Sequence, residues 1–469
     1  MAGKEEMAAM DRDMLAEGLL SEEPYTLVED LSEMGSRAGG TQGERQAIEY
    51  LLKKMSEYGF ENVHKEEFSY GGWLRGTASL QTTHPVERAF DVISFARAGS
   101  CDLEGELHYV GLGTPADWES QKDEIKGKIV IVDAKSPLWV PYGIHRREKF
   151  GWAIVCGATG FIWMRDQGGF LAETGGTTPQ SELEAAGLGS EIPAIAISRE
   201  EGMALIRLAK KSPDRKVRLR ISVQNTQMPM QSANVIGEIP GSTMKDREIV
   251  IGAHFDGHDI ATGSMDDASG AAVVMGAGRL IARHKGKLAR TVRLICFPLE
   301  ETGCIGSRRY VATHKHELGK IDFMLNLDGA GRGGLEKGFM LQAWPELLPI
   351  FKKASRQIKW PVVADVKLGM HSDMYPFSYL GVPSGTLASV GEARTGRNFG
   401  HTIADTIDKV SSLGLRMDST LVARVMAQVA DTECWPAKHK TTEEIMRIIK
   451  DTGQWDAMRL TVKDYRDLN

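Results

Sequence analysis

The chain has 469 residues, of which 42% are hydrophobic and 26% charged, which is typical of a globular protein and excludes a disordered or fibrous one. This length predicts two or three structural units rather than one small core. The formal net charge of -6, without a long run of one sign, excludes the basic surface that nucleic-acid binding requires.

No segment approaches the roughly 18 consecutive apolar residues that a membrane-spanning helix needs. The first stretch, MAGKEEMAAMDRDMLAEGLLSEEP, lacks the apolar core of a signal peptide. We therefore expect a cytoplasmic protein, or a secreted one if a leader has been removed, with no membrane or nucleic-acid partner. The five cysteines have no CxxC spacing, which argues against a disulfide framework or a thiolate zinc site. Any metal site must therefore use histidine and carboxylate ligands.

The first predicted elements are a helix and a strand. In GSRAGGTQGERQAIEYLLKKMSEYGFENV, the residues Ala47, Leu51, Met55 and Tyr58 recur at helical spacing, and EYGFENV predicts a helix end followed by a strand. Further along the chain, GKIVIVDA predicts a buried strand, REKFGWAIVCGATGFIWM a helix, a Gly turn and a strand, and IPAIAIS another strand. This middle block extends to about residue 226.

The remainder of the chain alternates between strand and helix patterns. The segments REIVIGAH, TVRLICFPLEE, IDFMLNLDG and VPSGTLAS are predicted strands, and SGAAVVMGAGRLIARH is the clearest helix. The tail TTEEIMRIIKDTGQWDAM is predicted to be a surface helix. Such alternation predicts an α/β fold with a mostly parallel sheet covered by helices on both faces.

Ionisable residues cluster where such a sheet binds ligands, just beyond the carboxyl ends of its strands. They come from the ends of the predicted strands, from the Gly-rich loop HFDGHDIATGSMDDASG and from the late loop RNFGHTIADT: His254, Asp266, Glu300, Glu301, Asp328 and His401. Two imidazoles with several carboxylates are the donor set that two neighbouring divalent cations need. The sequence therefore predicts a metal site at this edge.

Each residue type has a chemical reason in such a site. A carboxylate that gives one oxygen to each of two cations holds them about 3.5–4 Å apart, and a water between them then ionises near neutral pH. Asp266 is the candidate for this bridge. Asp256, two residues after His254, can accept the second ring N–H and fix the tautomer. Of the pair Glu300 and Glu301, one is expected to bind metal and the other to accept a proton from the attacking water.

Simpler interpretations of the same residues stay open. Glu pairs are mostly solvated, a histidine after a strand is often a core residue, and Asp266-Asp267 before a helix also fits N-capping. The Gly-rich loop HFDGHDIATGSMDDASG lacks the DxDxDG pattern of a calcium site. GAGRGG at 329–334 matches GxGxxG, but LEKGFMLQ after it lacks a helix pattern, which argues against a dinucleotide site. No GxSxG or GxxxxGK[ST] motif occurs.

Several stretches resemble the co-catalytic zinc exopeptidase family, which includes bacterial secreted aminopeptidases and plasma glutamate carboxypeptidase. They occur in the family's order: IGAHFDGHD, GSMDDASGA, FPLEETGCIGSRRY, NLDGAG, HSDMYPFSYLGVPS and FGHTIADTIDKV. The resemblance covers residues 25–70 and 230–435. GKIVIVDA, GATGFIWM and IPAIAIS resemble the protease-associated domain that many members insert. The resemblance thus implies a zinc exopeptidase fold, with a peptidase domain at 1–95 and 228–469 and a smaller β-rich insert at 96–227.

The resemblance also implies two Zn²⁺ per chain. One zinc would be held by His254, Asp266 and Asp328, and the other by Asp266, Glu301 and His401. The implied catalytic residues are Glu300, as general base, and Asp256. The inserted domain either acts as a spacer that shapes the entrance or contacts the substrate.

The implied reaction is removal of single terminal residues from short peptides or dipeptides, by an aminopeptidase or a carboxypeptidase. Arg394 and Arg397, close before His401, suit a terminal carboxylate, and His371 is a further substrate-binding candidate. His258 stands where relatives often have another residue, so it either lines the pocket or, as we expect, faces solvent. Two alternatives on the same fold are a single-zinc glutaminyl-cyclase-like transferase and a receptor-like binding protein. A homodimer is compatible with the resemblance, by analogy alone.

Overall fold

The computed structural model describes residues 3–140, 142–176, 192–212, 214, 216–332, 336–390 and 399–461. Within these ranges, no helix combines the length and the apolar character that a membrane span requires. One sheet runs through both halves of the molecule. Its strands, in chain order, are β1 (Glu61–His84), β2 (Arg88–Phe90), β3 (Val92–Ser94), β4 (Cys101–Gly111), β5 (Ile129–Asp133), β6 (Gly160–Met164), β7 (Ala194–Ile197), β8 (Arg218–Ile239), β9 (Met244–His254), β10 (Arg290–Phe297), β11 (Ile321–Asn326), β12 (Lys337–Leu341), β13 (Val363–Val366) and β14 (Ser384–Ser389).

Helices cover this sheet. Those in the described residues are α1 (Lys4–Leu20), α2 (Glu23–Glu33), α3 (Gln42–Glu57), α4 (Pro115–Ser120), α5 (Lys122–Ile125), α6 (Arg146–Val155), α7 (Arg199–Lys211), α8 (Ser269–Ala282), α9 (Ile305–Thr313), α10 (Leu348–Gln357), α11 (Met374–Tyr379), α12 (Ser412–Ala430), α13 (Thr442–Asp451) and α14 (Trp455–Thr461). Helix α3 shows why the sequence pattern works: the Thr41 side chain caps its first turn by accepting from the Glu44 N–H, and Ala47, Leu51 and Met55 form its buried face.

The half of the sheet that carries the predicted metal ligands has the strand order β13-β12-β14-β11-β9-β10-β8. Strand β9 is parallel to β10 and β11, and β11 is parallel to β14, so the carboxyl ends of these four strands share one edge. Alternate residues of β9 pack in different hydrophobic cores. Ile249 and Ile251 pack with residues of α8 and α12, whereas Val250 packs with Tyr310 of α9 and Phe377 of α11. The predicted mostly parallel sheet between two layers of helices is confirmed.

The inserted half continues the same sheet with the order β8-β4-β5-β6-β7-β3. Strands β1 and β8 connect the halves as a long antiparallel ribbon, from the pair Glu61↔Glu238 to the pair His84↔Arg218. Leu80 and Phe90, which precede residue 96, pack in a core of the inserted half, and Leu460 of α14 packs in the other. The domain boundaries at 95/96 and 227/228 stay a prediction.

The strands and helices predicted from GKIVIVDA, REKFGWAIV, GFIWM and IPAIAIS are present as β5, α6, β6 and β7. The prediction for the tail was wrong in part, because TTEEIMRIIKDTGQWDAM forms two helices, α13 and α14, rather than one surface helix. The chain turns between them at Gly453, where φ is +71°, a conformation that favours glycine. Ile445 and Ile449 of α13 are buried in the main core. All five cysteines are free thiols.

Candidate metal centre

The ionisable residues of the sequence meet at the shared edge of the parallel strands. His254 is the last residue of β9 and pairs with Phe297, the last residue of β10. Three residues beyond Phe297, after a left-handed turn at Leu299, the chain presents Glu300 and Glu301. Asp328 follows the end of β11 by two residues. The strand register therefore places four of the predicted residues side by side.

These residues form two clusters, in each of which the possible ligand atoms lie within 4.8 Å of one another. The first consists of His254, Asp266 and Asp328. The second consists of His258, Glu301 and His401. The first set equals the predicted ligands of one zinc, whereas the second contains His258, which the sequence did not assign to it.

Asp266 lies between the clusters. Its Oδ1 is 3.5 Å from Nε2 of His254, and its Oδ2 is 3.4 Å from Nε2 of His401. His401 Nε2 is in turn 3.2 Å from Oε2 of Glu301. Each carboxylate oxygen of Asp266 thus faces a different cluster, which is the arrangement that a bridging ligand needs.

The donor atoms of both clusters fit metal ions. Among the described residues, His254 Nε2, His258 Nε2 and Glu301 Oε1 are buried without a hydrogen-bond partner. His258 Nε2 is 3.0 Å from Glu301 Oε2, but their orientation does not meet the angle requirement of a hydrogen bond. Buried polar atoms without partners are costly, and a cation among them removes that cost. Imidazole and carboxylate donors together suit zinc.

Asp256 supports the ligands without belonging to either cluster. His254 Nδ1 donates to the backbone carbonyl of Asp256 at 3.2 Å, and Oδ1 of Asp256 is equally distant. The two carboxylate oxygens of Asp256 accept from the backbone N–H groups of Glu300 (3.1 Å) and Glu301 (3.3 Å). Asp256 therefore orients the His254 ring and the Glu pair at the same time, as carboxylates that hydrogen-bond to the ligands do in metal sites.

A residue of the inserted half orients the other imidazole. His401 Nδ1 donates to the backbone carbonyl of Thr174 at 3.2 Å, and the Thr174 N–H donates to the His401 carbonyl at 2.9 Å. A carbonyl can only accept, so Nδ1 carries a proton and Nε2 is the ring atom that faces the cluster. The insert thus contacts the candidate centre directly.

Two arginines, the buried Arg37 and the half-buried Arg332, hold the carboxylate-rich loops. Arg332 Nη2 is 2.7 Å from Asp266 Oδ1 and 3.4 Å from Asp328 Oδ1. Although burial opposes ionisation of Asp266, the Arg332 charge and the neighbouring imidazoles of His254 and His401 hold the pKa of Asp266 well below its usual range. Arg37 donates to backbone carbonyls of the loop that follows β9.

Glu300 lies beside the clusters but outside them. Burial raises the pKa of Glu300 above its usual range, and the nearby carboxylates of Asp328 and Glu301 add to this effect while the charge of His254 opposes it. The Cys304 thiol donates to Glu300 Oε1 at 3.4 Å. A carboxylate with increased proton affinity that is not a ligand is suited to general-base chemistry.

A cleft opens beside the second cluster. It lies between the metal-side loops and the start of the inserted half, and its walls include Tyr70, Trp73, Arg97, Asp256, His258 and Glu301.

The expectation that His258 faces solvent was wrong. Its side chain is buried, and its ring packs edge-on against His401 with 4.4 Å between centroids. Burial, together with the charges of His401 and Arg146, holds the pKa of His258 well below its usual range, so its ring is neutral. The only sequence signal that could have placed His258 at the site is that it follows His254 by four residues.

Of the three predicted substrate-binding residues, the structure describes only His371. Arg394 and Arg397 lie outside the described residues, and their role stays a prediction. His371 belongs to neither metal cluster, and its ring stacks on that of His145 at 3.8 Å between centroids. In the GAGRGG stretch, the side chain of Arg332 binds the carboxylates of Asp266 and Asp328.

Comparison with known proteins identifies two regions. Residues 234–426 match peptidase family M28, and residues 102–205 match the PA domain. The chain is similar to carboxypeptidase Q of Xenopus laevis, with 24% identity over 63% of this chain. The matched region spans 62% of the length of that relative.

Two solved structures share the fold of this chain. One is a peptidase M28 precursor from Shewanella amazonensis SB2B, with 24% identity, a TM-score of 0.77 and coverage of 93% of this chain and 100% of that one. The other is BSAP, a zinc aminopeptidase from Bacillus subtilis, with 21% identity, a TM-score of 0.64 and coverage of 88% and 95%. The predicted resemblance, including the inserted PA domain, is confirmed.

Proposed function

The chain carries a peptidase family M28 region with an inserted PA domain, and from this premise we propose that it is a two-zinc exopeptidase acting on short peptides or dipeptides. The observation that carries the proposal is Asp266, whose two carboxylate oxygens face two separate clusters of metal-ligating atoms. The names of the relatives, a carboxypeptidase and a zinc aminopeptidase, support zinc and terminal cleavage.

The residues that would hold the ions follow from the clusters. His254, Asp266 and Asp328 would hold one zinc, and Asp266, Glu301 and His401, together with His258, would hold the other. When bound, two zinc ions polarise the scissile carbonyl and lower the pKa of a water between them.

The other residues act on protons and orientation. Glu300, with its increased proton affinity, accepts a proton from the attacking water and returns it to the leaving amine. Asp256 fixes the His254 ring and the backbone of the Glu pair, and the Thr174 carbonyl fixes the ring of His401. These contacts keep the reacting groups in place before the substrate arrives.

The test combines metal content with turnover. We expect two zinc ions per chain, and in Glu300→Gln a loss of about 10²–10⁴-fold in kcat with both ions retained. Glu336→Gln, an exposed glutamate outside both clusters, is the control and should leave both quantities unchanged. A single zinc per chain would favour the cyclase-like alternative. Loss of zinc in Glu300→Gln would reverse the roles of Glu300 and Glu301.

A further inference from the structure

Arg97 is a buried arginine without an ion pair. It follows β3, and only 4% of its surface is exposed. Its Nη1 donates to the Gly71 carbonyl at 2.7 Å, while its Nε is buried with no hydrogen-bond partner among the described residues. No carboxylate in the described part of the chain pairs with it.

Other buried arginines of this protein show what Arg97 lacks. Arg290 faces the carboxylate of Asp322, and Arg424 binds both carboxylate oxygens of Asp11. Folded proteins usually pair buried charges because an isolated one is destabilising. Burial lowers the pKa of Arg97 to about 10, and of the groups around it only Tyr70 opposes that shift. Unlike Arg37, which donates to four backbone carbonyls, Arg97 keeps a buried Nε–H without an acceptor among the described residues, and an anion can fill that position.

The position of Arg97 indicates where that anion comes from. Arg97 lines the same cleft as Glu301 and His258 of the second cluster. The other arginine in this wall, Arg75, already binds both oxygens of Asp259, at 2.8 Å from Nε and 2.7 Å from Nη2. Arg75 is neutralised by the protein itself, and Arg97 is not.

We propose that Arg97 binds a carboxylate of the substrate, so that the cleft accepts peptides with an anionic group close to the scissile bond. The inference rests on the proposed function and extends it to the class of substrate. A guanidinium binds a carboxylate through two parallel N–H···O bonds, which fixes orientation as well as charge. The carboxylate is either the free C-terminus of a short peptide or an acidic side chain.

Three substrates distinguish these sources: a neutral dipeptide with a free C-terminus, the same dipeptide as its C-terminal amide, and a dipeptide amide with a glutamate side chain. We expect the zinc-loaded protein to prefer the first or the third over the second. Arg97→Met should remove this preference, with a loss of about 10–100-fold in kcat/KM, mainly through KM, for the anionic substrate alone. Arg97→Lys should restore part of it.

Arg220→Met is the matched control, because Arg220 pairs with Asp102 on the exposed surface of the insert. It should leave the preference unchanged. Equal hydrolysis of all three substrates by the wild-type protein overturns the proposal, and so does an equal loss for all three in Arg97→Met.

A binding measurement separates this inference from the proposed function. Calorimetry with the zinc-loaded protein compares an N-acetylated amino acid with its amide. We expect the acid to bind at least about tenfold more tightly, and Arg97→Met to abolish the difference. Selective binding without turnover would refute the peptidase activity but support the role of Arg97. Turnover with equal binding of acid and amide would refute the role of Arg97 alone.

Discussion

Replacing Arg37 by Met tests whether one buried side chain stabilises the loop that carries the candidate centre. Arg37 is 1% exposed and donates four hydrogen bonds to backbone carbonyls. Its acceptors are Phe255 (2.7 Å), Leu31 (3.0 Å), Thr262 (2.5 Å) and Gly263 (2.8 Å). Three of these four lie in the loop between β9 and Asp266, so Arg37 connects that loop to the end of α2.

The magnitude follows from two opposing effects. A hydrogen bond from a charged donor contributes about 1.5–3 kcal/mol, so four of them contribute at least about 6 kcal/mol. Burial lowers the pKa of Arg37 to about 10 and is the larger influence, with Asp405 and Asp256 opposing it. Relief of that cost offsets about 3 kcal/mol in the variant. We therefore expect Arg37→Met to lower the free energy of unfolding by about 3 kcal/mol or more.

Urea unfolding of the metal-free protein, followed by tryptophan fluorescence, measures this change without a contribution from metal binding. Arg45→Met is the control, because Arg45 donates to the Gly40 carbonyl at the exposed surface, and we expect a change within about 0.5 kcal/mol. If Arg37→Met differs from the wild-type protein by less than about 1 kcal/mol, the loop does not depend on these hydrogen bonds and the reasoning is refuted.

Two further predictions concern a ligand and a buried acid. X-ray absorption of the zinc-loaded protein should show three imidazole ligands shared by two zinc ions, from His254, His258 and His401, and only two such ligands in His258→Gln. The control His371→Gln, which lies outside the clusters, should keep three imidazole ligands. Only two imidazole ligands in the wild-type protein would contradict the assignment of His258. Burial raises the pKa of Glu44 from 4.5 to about 7, so the wild-type protein loses stability as the pH rises through this range. In urea titrations, the free energy of unfolding of Glu44→Gln should rise by about 2 kcal/mol relative to the wild-type protein between about pH 5.5 and 8.5. A stability difference between the two proteins that does not change with pH would contradict the raised pKa of Glu44.

The sequence predicts the sheet and the clusters for one shared reason. Apolar runs such as IVIGA and FMLNL are long enough to be buried strands, and parallel strands bring their carboxyl ends to one edge. Donor residues placed there by the chain, His254, Glu301 and Asp328, must therefore meet. Local pattern and topology suffice for these residues.

The residues that sequence reasoning missed depend on contacts between distant segments. Arg37 reaches Thr262 across 225 positions, and His401 meets Thr174 across 227. No local pattern marks Arg97 in ISFARAGS either, because its lack of an ion pair exists only in three dimensions. His258 was misjudged for the same reason: a polar residue in a glycine-rich loop is usually solvated, and here the cleft wall and His401 cover it.

The reciprocal pair between Thr174 and His401 has a consequence for engineering this protein. Excising the insert would remove Thr174, and the His401 imidazole would then be free to rotate and to change its tautomer. A minimal version of this protein therefore needs a substitute acceptor for that ring proton. Exchanging the insert for one from a relative would likewise require a backbone carbonyl at the same spot.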